Sequence, residues 1–407
     1  MTRTDVLDTI DSQLDWQRNL YKSFHREPEL GLEEHKTSAR IESELNDMGL
    51  EAMHVSETGL VAVLENGRGP TVLARADIDA LPVTEDTGLD YSSTVEGVMH
   101  ACGHDMHIAS LLGAVQLMNE NRDTWSGTYI ALFQPSEENA AGARAMLDDG
   151  LTSKIPKPDI AYAQHVMPLP TGTVSTKAGP VLSAGDSVKI TVHGRGAHGS
   201  MPHLSVDPVV LAATIVLRLQ TIVSRETDPG EFAVVTVGAS NSGSKSNIIP
   251  DRAELLLNLR TYDMGIRDRI IASIERIVTG ECRAAGSPKE PTFEYYDQFP
   301  LTDNDAASNA ALTTAFEDCF DVGVVQPASP ATASEDFSEI PNAFEIPYVY
   351  WMIGCADAEK YRRAEHAGTV NTDIPANHAP NFAPVIDPTL ELATKAQVVA
   401  ALSQLSS

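Results

Sequence analysis

Positively charged residues are scarce in this sequence of 407 residues, which has 29 Lys and Arg against 57 Asp and Glu and a formal net charge of -28. A surface with this excess of negative charge repels phosphate backbones and anionic lipid headgroups. The composition therefore argues against nucleic acid as a partner and against attachment to a membrane. A saline habitat is a second reading of the same acidic excess.

The sequence also has no eighteen-residue apolar stretch of the kind that a transmembrane helix requires. Its first residues, MTRTDVLDTIDSQLDWQ, are polar and acidic, whereas a secretory signal has a basic start followed by an apolar middle. Hydrophobic residues make up 42% of the chain and charged residues 21%, which is typical of folded globular proteins. We therefore expect a folded, cytoplasmic protein.

Cysteine is rare too, and the four cysteines form neither a CxxC pair nor a disulfide-like framework. Cys282, Cys319 and Cys355 have no histidine within several residues, so they are predicted to be buried structural thiols. Cys102 differs, because it lies in the stretch HACGHDMH, just before an apolar run that is predicted to be a helix. This stretch therefore needs a chemical explanation.

The length of the chain favours two domains. Apolar runs such as TVLARADID, TYIALFQ and DIAYAQHV alternate with helical stretches, which predicts an α/β fold with a mostly parallel sheet flanked by helices. Between residues 185 and 298 the pattern changes to βαββαβ, which indicates a ferredoxin-like domain. We predict a catalytic domain made of residues 1–184 and 299–407, with residues 185–298 inserted into it.

Three of the apolar strands run into side chains that can bind a metal. One ends at Asp77 and Asp79, the next at Glu137 and Glu138, and the third at His165. Because ligands of open α/β sheets bind outside the carboxyl ends of the strands, we expect these groups to converge at one edge.

The loop that carries HACGHDMH lies between the first two of these strands. Cys102 and His104 are two residues apart, so they can converge from a loop but not from one face of a helix. Taken alone, they fit a buried thiol and a helix-capping imidazole equally well. The adjacent Glu137 and Glu138 favour a metal, because two buried carboxylates in contact are costly without a cation. In hydrolytic metal sites such a pair divides into a ligand and a base.

At this point the sequence resembles a known family. The segments HREPELGLEEHKTS, RADIDALP, HACGHDMH, QPSEE, HGRGAHGSMPH and SNIIPDRAEL, followed by SEDF at Ser334 to Phe337 and NHAPNF at Asn377 to Phe382, are similar to the amidohydrolase branch of the aminoacylase/carboxypeptidase metallohydrolase family. That branch includes hippurate hydrolases, N-acyl-amino-acid amidohydrolases and auxin-conjugate hydrolases. The similarity covers nearly the whole chain and keeps the order of the family's motifs. It implies a metallopeptidase-like catalytic domain with an inserted lid domain that forms dimers.

The resemblance also implies roles for individual residues. Glu137 becomes the general base, and the metal ligands become Cys102, His104, Glu138, His165 and His378. Thiolate, imidazole and carboxylate together suit zinc, and manganese, cobalt and nickel accept the same groups.

Two aspartates bear on how the metal is held. Asp79 is expected beside a ligand or the base, which it would orient. Asp77 occupies the position where the two-metal peptidases of the family have a histidine ligand. The sequence is therefore compatible with either one or two metal ions. A bridging Cys102 thiolate could support a pair.

In the inserted domain the resemblance assigns His198 to transition-state stabilisation and Asn247 and Arg260 to substrate contact. The guanidinium fork of Arg260 matches a free carboxylate in two parallel hydrogen bonds. The alternatives are a surface ion pair for Arg260 and a loop-capping role for His198.

His107 and Asp105 match no ligand position and are interpreted as residues of the helix start. The role of His100 is left open. His25 is one of several histidines that we assign to the surface or the core.

The predicted activity is hydrolysis of the amide bond of an N-acyl amino acid, a small-molecule substrate, to a carboxylic acid and a free amino acid. Water attack follows from the absence of a GxSxG elbow and of a matched cysteine–histidine nucleophile pair. The alternatives are a metallo-dipeptidase or carboxypeptidase with the same centre, a metal-binding protein without turnover, and a cysteine hydrolase using Cys102. We also expect a homodimer or a dimer of dimers, with His198 acting across the interface.

Overall fold

The structure is a computed structural model and describes residues 6–405. Within this range the chain divides into two compact units. The first contains the chain up to Val181, Asp303–Pro330 and the chain from Asp336 onward. The second contains Leu182–Thr302 and Ala331–Glu335. The middle of the sequence therefore folds as a unit of its own.

Sixteen strands lie in the described residues: β1 (Ala52–Val55), β2 (Gly59–Asn66), β3 (Thr71–Asp77), β4 (Gly127–Gln134), β5 (Ile160–Pro170), β6 (Val174–Thr176), β7 (Gly179–Leu182), β8 (Ala184–His193), β9 (Ala197–His198), β10 (Ala233–Ser242), β11 (Ile248–Ile249), β12 (Arg252–Thr261), β13 (Thr292–Phe299), β14 (Thr302–Asn304), β15 (Val325–Pro327) and β16 (Tyr348–Ala356).

Twelve α-helices lie in the same part of the chain: α1 (Leu14–Arg26), α2 (His35–Asp47), α3 (His104–Glu120), α4 (Gly142–Asp148), α5 (Leu151–Lys154), α6 (Pro208–Thr221), α7 (Met264–Ala284), α8 (Ala306–Cys319), α9 (Glu339–Phe344), α10 (Ala358–Ala367), α11 (Val370–Asp373) and α12 (Ile386–Leu405). Shorter helical turns cover Ile10–Ser12, Arg122–Thr124, Pro202–Leu204 and Ile222–Glu226.

The first unit is built on an eight-stranded sheet with the order β1-β2-β4-β3-β5-β16-β6-β15. Its four central strands, β4, β3, β5 and β16, are mutually parallel, whereas β1, β2 and β6 run antiparallel to a neighbour. Helices α3 and α12 pack against this sheet and are buried along most of their length. The predicted α/β fold, with a mostly parallel sheet flanked by helices, is confirmed.

The register of the central strands brings the predicted site residues to one edge. Asp77, the last residue of β3, pairs with Gln134, the last residue of β4. Strand β5 pairs with β3 only as far as Ala163, so His165 lies beyond the end of that pairing. Strand β5 itself continues to Pro170, further than the sequence predicted, because β16 pairs with it on the other side.

The second unit is a four-stranded antiparallel sheet with the order β10-β12-β8-β13, covered by α6 and α7. The chain passes through these elements as β8, α6, β10, β12, α7 and β13, which is the βαββαβ order of a ferredoxin-like fold. Ala331–Glu335 returns to this unit, where Ser183 N–H donates to Ala333 O at 2.8 Å. Its apolar core lies between the sheet and the two helices.

One helical stretch of the described chain, Pro208–Glu226, is long and apolar enough to cross a membrane, with a mean hydropathy of 1.4. The sequence analysis had expected no such stretch. Length and composition alone are weak evidence, because core helices of globular proteins pass the same criterion. In the second unit Leu211, Ile215 and Leu219 of this helix are buried in the core. Val209, Val210 and Leu217 of α6 are exposed instead.

Candidate metal centre

The loop before α3 places Cys102 and His104 close together. Gly103 lies between them in the left-handed region, with φ of 87°. A Cβ atom at this position would be 2.3 Å from Cγ2 of Val166, so only glycine allows the loop to approach β5 this closely. His104 is the first residue of α3, whereas the sequence analysis had placed it in the turn before the helix.

His104 is oriented by Asp79. Nδ1 of His104 lies 2.9 Å from the backbone oxygen of Asp79 and 3.1 Å from its Oδ1, so the Nδ1 proton is donated there. Nε2 of His104 is buried and has no hydrogen-bond partner within residues 6–405. The other carboxylate oxygen of Asp79 accepts from Glu138 N–H at 3.0 Å. Asp79 thus contacts two of the predicted ligand residues, His104 and Glu138.

Glu137 and Glu138 follow β4 in a tight turn. Oε1 of Glu138 lies 3.2 Å from Nε2 of His378 and 3.9 Å from Nε2 of His104. One ligand atom from each of His104, Glu137 and Glu138 lies within 4.8 Å of the others. The two carboxylates therefore face the same imidazole.

Cys102 and His378 complete the cluster. Ligand atoms of Cys102, Glu138 and His378 lie within 4.8 Å of one another, and Cys102 Sγ is 3.4 Å from Nε2 of His165. His378 has a left-handed backbone with φ of 69°, and its N–H donates to Ala101 O at 2.8 Å. The structure thus brings together all five predicted ligand residues.

The tautomer of His165 leaves one nitrogen for a metal. Its Nδ1 lies 2.7 Å from Val166 O and must donate, because a carbonyl only accepts. Nε2 therefore carries the lone pair, and it faces Cys102. Burial lowers the pKa of His165 well below its usual value, which keeps this imidazole neutral.

The charged groups of the cluster favour binding of a cation. Burial, followed by the nearby Glu138 and Glu137, raises the pKa of the Cys102 thiol well above its usual value. Burial acts against the charged form of His104, but Asp77, Asp79 and Glu138 outweigh it and raise the pKa of His104 to about 10. The Cys102 thiol and the His104 imidazole therefore favour their protonated forms, and a divalent cation would replace those protons.

A second observation also indicates that these residues fit a metal ion. Nε2 of His104 is buried and has no hydrogen-bond partner in the described residues, and Oε1 of Glu138, which is buried too, lies 3.2 Å from Nε2 of His378. Buried polar atoms are normally satisfied, so each such exception needs an explanation. A metal bound to both atoms, with the thiolate and imidazoles nearby, supplies it.

His107 and Asp77 form a structural pair beneath the cluster. His107 Nε2 accepts from Val166 N–H at 2.9 Å, so the proton is on Nδ1, which donates to Asp77 Oδ1 at 2.5 Å. The other oxygen of Asp77 accepts from the buried Arg75 at 2.7 Å. Asp77 is therefore engaged on both oxygens by side chains. His107 was predicted as a helix-start residue, and it lies in the first turn of α3.

Sequence reasoning missed the partners of these residues. Arg75, which is 1% exposed, was not singled out, although a cation within the apolar run TVLARADID was a usable signal. Asp105 was interpreted as a residue of the helix start, but its Oδ2 lies 2.6 Å from Nδ1 of His25. The other nitrogen of His25 lies 3.2 Å from Glu85 Oε1. No motif in the sequence connects these three residues.

The second unit carries the three remaining predicted residues. His198 on β9 pairs with Ile248 on β11, and Gly199 N–H donates to Asn247 O at 2.8 Å, so His198 and Asn247 are neighbours. Both side chains are exposed. Arg260 on β12 is half-buried instead.

The contacts of Arg260 are all with neutral groups. Its Nε donates to Asn258 Oδ1 at 2.9 Å, and Nη1 donates to the Ser334 hydroxyl. Burial lowers the pKa of Arg260, and in the described chain no carboxylate lies within ion-pair distance of it. The alternative of a surface ion pair is therefore wrong.

Comparisons with known proteins agree with the site. A model of Peptidase family M20/M25/M40 matches residues 73–375. N-acetyl-L-cysteine deacetylase of Bacillus subtilis strain 168 is 38% identical over 345 residues, covering 83% of this chain and 80% of the relative. Thermostable carboxypeptidase 2 of Saccharolobus solfataricus is 34% identical over 355 residues, covering 85% and 87%.

Solved structures give the same result. The chain resembles the YXEP protein of Bacillus subtilis, described as a dinuclear metal binding peptidase from the M20 family, with a TM-score of 0.79 and 28% identity. The match covers 96% of this chain and 98% of that protein. With the family model matching more than half of the chain and the relatives spanning most of it, the protein belongs to Peptidase family M20/M25/M40 and is a metal-dependent hydrolase.

Proposed function

We propose that the protein hydrolyses the amide bond of N-acyl amino acids and releases a carboxylic acid and a free amino acid. The observation that carries this proposal is the Glu137 and Glu138 pair, which lies against the cluster of thiol and imidazoles. A protein that only stored metal would need ligands but no additional carboxylate beside them. The similarity to an N-acetyl-L-cysteine deacetylase supports the acyl amino acid as substrate class.

The metal would be held by the five clustered residues Cys102, His104, Glu138, His165 and His378. We propose zinc, with manganese, cobalt or nickel as alternatives that the same groups accept, and one or two ions per subunit. When bound, the cation supplies a Lewis acid that polarises the acyl oxygen and lowers the pKa of water. Asp77 contributes little to a second site, because Arg75 and His107 occupy its oxygens.

The remaining steps belong to side chains of the protein. Glu137 takes a proton from the attacking water and later delivers it to the leaving nitrogen. Asp79 keeps the Nδ1 proton of His104 in place, so that the ring does not turn. Water attack at the acyl carbon and proton delivery to nitrogen together account for one carboxylic acid and one amine per water consumed.

His198, Asn247 and Arg260 are proposed to recognise the substrate. Nδ1 of His198 accepts from Ser200 N–H at 3.2 Å, so Nε2 carries the proton and can donate it to an oxyanion. Arg260 donates to neutral groups and forms no ion pair with a carboxylate of the described residues, so its guanidinium is available to a free substrate carboxylate.

A metallo-dipeptidase or carboxypeptidase with the same centre is the second candidate, favoured by the similarity to thermostable carboxypeptidase 2. The test is a panel of N-acetyl, N-benzoyl and long-chain N-acyl amino acids beside dipeptides, assayed by release of free amine. Glu137→Gln serves as the inactive control. Our proposal predicts faster turnover of at least one acyl amino acid than of every dipeptide, and the reverse order favours the peptidase.

We also propose a homodimer, or a dimer of such dimers, formed through the second unit, which the sequence delimits as residues 185–298. Helix α6 exposes Val210 and Leu217 to 63% and 72%, although both are apolar. Strand β10 is an edge strand of its sheet. A second copy of the chain would cover both features.

A cytoplasmic location is part of the proposal. Cys102, Cys282 and Cys355 form no disulfide bond. Unpaired thiols are typical of a compartment in which reductants keep cysteines reduced.

A further inference from the structure

A buried carboxylate, Glu34, lies next to the turn that carries the two catalytic-site glutamates. It is 0% exposed. Its Oε1 accepts from Ser136 N–H at 2.8 Å, and its Oε2 accepts from the Thr58 hydroxyl at 2.7 Å. Ser136 directly precedes Glu137, so one oxygen of Glu34 holds the backbone of the turn.

The position of Glu34 makes this contact unexpected. Glu34 is the N-cap residue of α2, where an acidic side chain ordinarily accepts a hydrogen bond from its own helix. Its side chain makes no such bond. Instead Glu29 Oε2 accepts from Thr37 N–H at 2.8 Å and from the Thr37 hydroxyl at 3.0 Å. A second carboxylate thus caps the helix and leaves Glu34 for the turn.

Stability alone does not account for Glu34. Within residues 6–405 no Lys, Arg or His is among the groups that shift the pKa of Glu34, and burial raises that pKa. A buried carboxylate that accepts only from neutral donors is costly, and the positive end of α2 offsets only part of that cost. An apolar side chain at this position would avoid the penalty for the charge, but it would leave the Ser136 N–H without its acceptor.

The turn that Glu34 holds is tight and conformationally demanding. Ser136 has φ of 46°, a left-handed conformation that is unfavourable for a residue with a Cβ atom. A Cβ atom at Gly31 would be 2.7 Å from Ser136 Oγ, so the segment before α2 packs directly on the turn. The direction in which Glu137 and Glu138 leave β4 depends on this conformation.

We propose that Glu34 is a positioning residue that fixes the backbone of Ser136 and thereby sets the direction of Glu137 and Glu138. This inference rests on the proposed function for its kinetic consequence only. Two other consequences are independent of the substrate: protection of the Ser136 amide from hydrogen exchange, and affinity of the metal-free protein for zinc.

The test compares three variants. Glu34→Leu fills the volume but removes the acceptor, whereas Glu34→Gln keeps an oxygen that can accept from Ser136 N–H. Glu44→Ala is the matched control. Glu44 is also a buried glutamate of α2, but it pairs with Arg40 at 2.6 Å and accepts from Trp16 at 2.9 Å, away from the turn.

We expect Glu34→Leu to lose at least tenfold in Ser136 amide protection, measured by NMR with 15N-serine, and at least tenfold in zinc affinity and in kcat. Glu34→Gln should recover most of all three, and Glu44→Ala should change none beyond what its loss of thermal stability explains. Equal protection of Ser136 in wild type and a folded Glu34→Leu variant overturns the proposal.

A measurement on the wild-type protein covers the case in which Glu34→Leu does not fold. The Ser136 amide must then exchange at least 100-fold more slowly than in an unfolded chain, and an unprotected Ser136 amide overturns the proposal. If the wild type hydrolyses no acyl amino acid, the proposed function fails, while amide exchange and zinc affinity still decide the role of Glu34.

Discussion

Nε2 of His107 accepts a hydrogen bond of 2.9 Å from the backbone N–H of Val166. This bond fixes the tautomer of the ring, because an N–H group can only donate. His107 therefore presents its Nδ1 proton to Asp77 and has no lone pair left for a metal. Although it lies one helical turn from His104 and near His165, it supports the cluster without belonging to it.

The first prediction follows from that bond. His107→Gln should leave the bound metal unchanged but lower the free energy of unfolding by roughly 2–4 kcal/mol, because Asp77 loses a buried partner. His104→Ala, the control, should lose metal. Metal per chain by elemental analysis and stability by urea unfolding check this. Loss of metal from a stably folded His107→Gln protein would make His107 a ligand.

The second prediction concerns metal dependence. Exhaustive chelation should abolish hydrolysis, and zinc, manganese or cobalt should restore it, because Cys102, His165 and the other clustered side chains would have lost their cation. Activity is followed by free-amine release, with metal loss verified by elemental analysis. Full activity of the verified metal-free protein would contradict the mechanism and favour a cysteine hydrolase based on Cys102.

The third prediction separates the two adjacent glutamates. Glu137→Gln should retain metal and lose several orders of magnitude in kcat, because the amide cannot accept a proton from water. Glu138→Ala should lose metal affinity as well, since Oε1 of Glu138 faces both His378 and His104. If both variants kept full metal and only Glu138→Ala were slow, the two roles would be reversed.

The fourth prediction is a pH dependence of stability. Burial opposes the charge of His25, but the hydrogen bonds that its ring donates to Asp105 and Glu85 outweigh it and raise the pKa of His25 to about 9 from 6.5. Its stabilising contribution is therefore complete below pH 6.5 and is lost as the pH rises through about 9.

The stability difference between wild type and His25→Gln should accordingly shrink by roughly 3 kcal/mol between pH 6.5 and 10. Urea unfolding of the metal-free proteins measures it, with His35→Gln as an exposed control. A constant difference across this range would show that His25 is not charged in the folded protein.

The fifth prediction tests the proposed dimer. Inactive Glu137→Gln and inactive His198→Ala chains are mixed under conditions that allow subunits to exchange. If His198 acts on the partner's metal centre, each mixed dimer regains one intact site and about half of the wild-type activity. Verified mixed dimers that remain inactive would place the action of His198 within its own subunit or exclude it.

The predictable part of the fold followed from local patterns. Apolar runs separated by helical stretches predict the parallel centre of the sheet, because strands buried on both faces read as continuous apolar segments. The carboxyl ends of those strands then indicate where Asp79, Glu138 and His165 meet. The ligand role of His378 could be predicted only from the family resemblance, since nothing in its local sequence distinguishes it from the other histidines.

The partners of the site residues were not predictable from local patterns. Arg75 and Asp77 are two residues apart, but the pairing of Glu34 with Ser136 spans 102 positions and that of His25 with Asp105 spans 80. Such pairs depend on tertiary packing, which single-sequence periodicity does not contain.

The placement of β16 beside β5 has a consequence for synthesis of the chain. Tyr348 on β16 pairs with Ala161 on β5, so the sheet of the first unit stays open until the ribosome has completed the whole second unit between them. His378 follows later still. During that interval β5 is an unpaired, apolar edge, while the second unit already has all its strands. The nascent enzyme is therefore expected to be most prone to aggregation, and most dependent on chaperones, before its metal cluster can form.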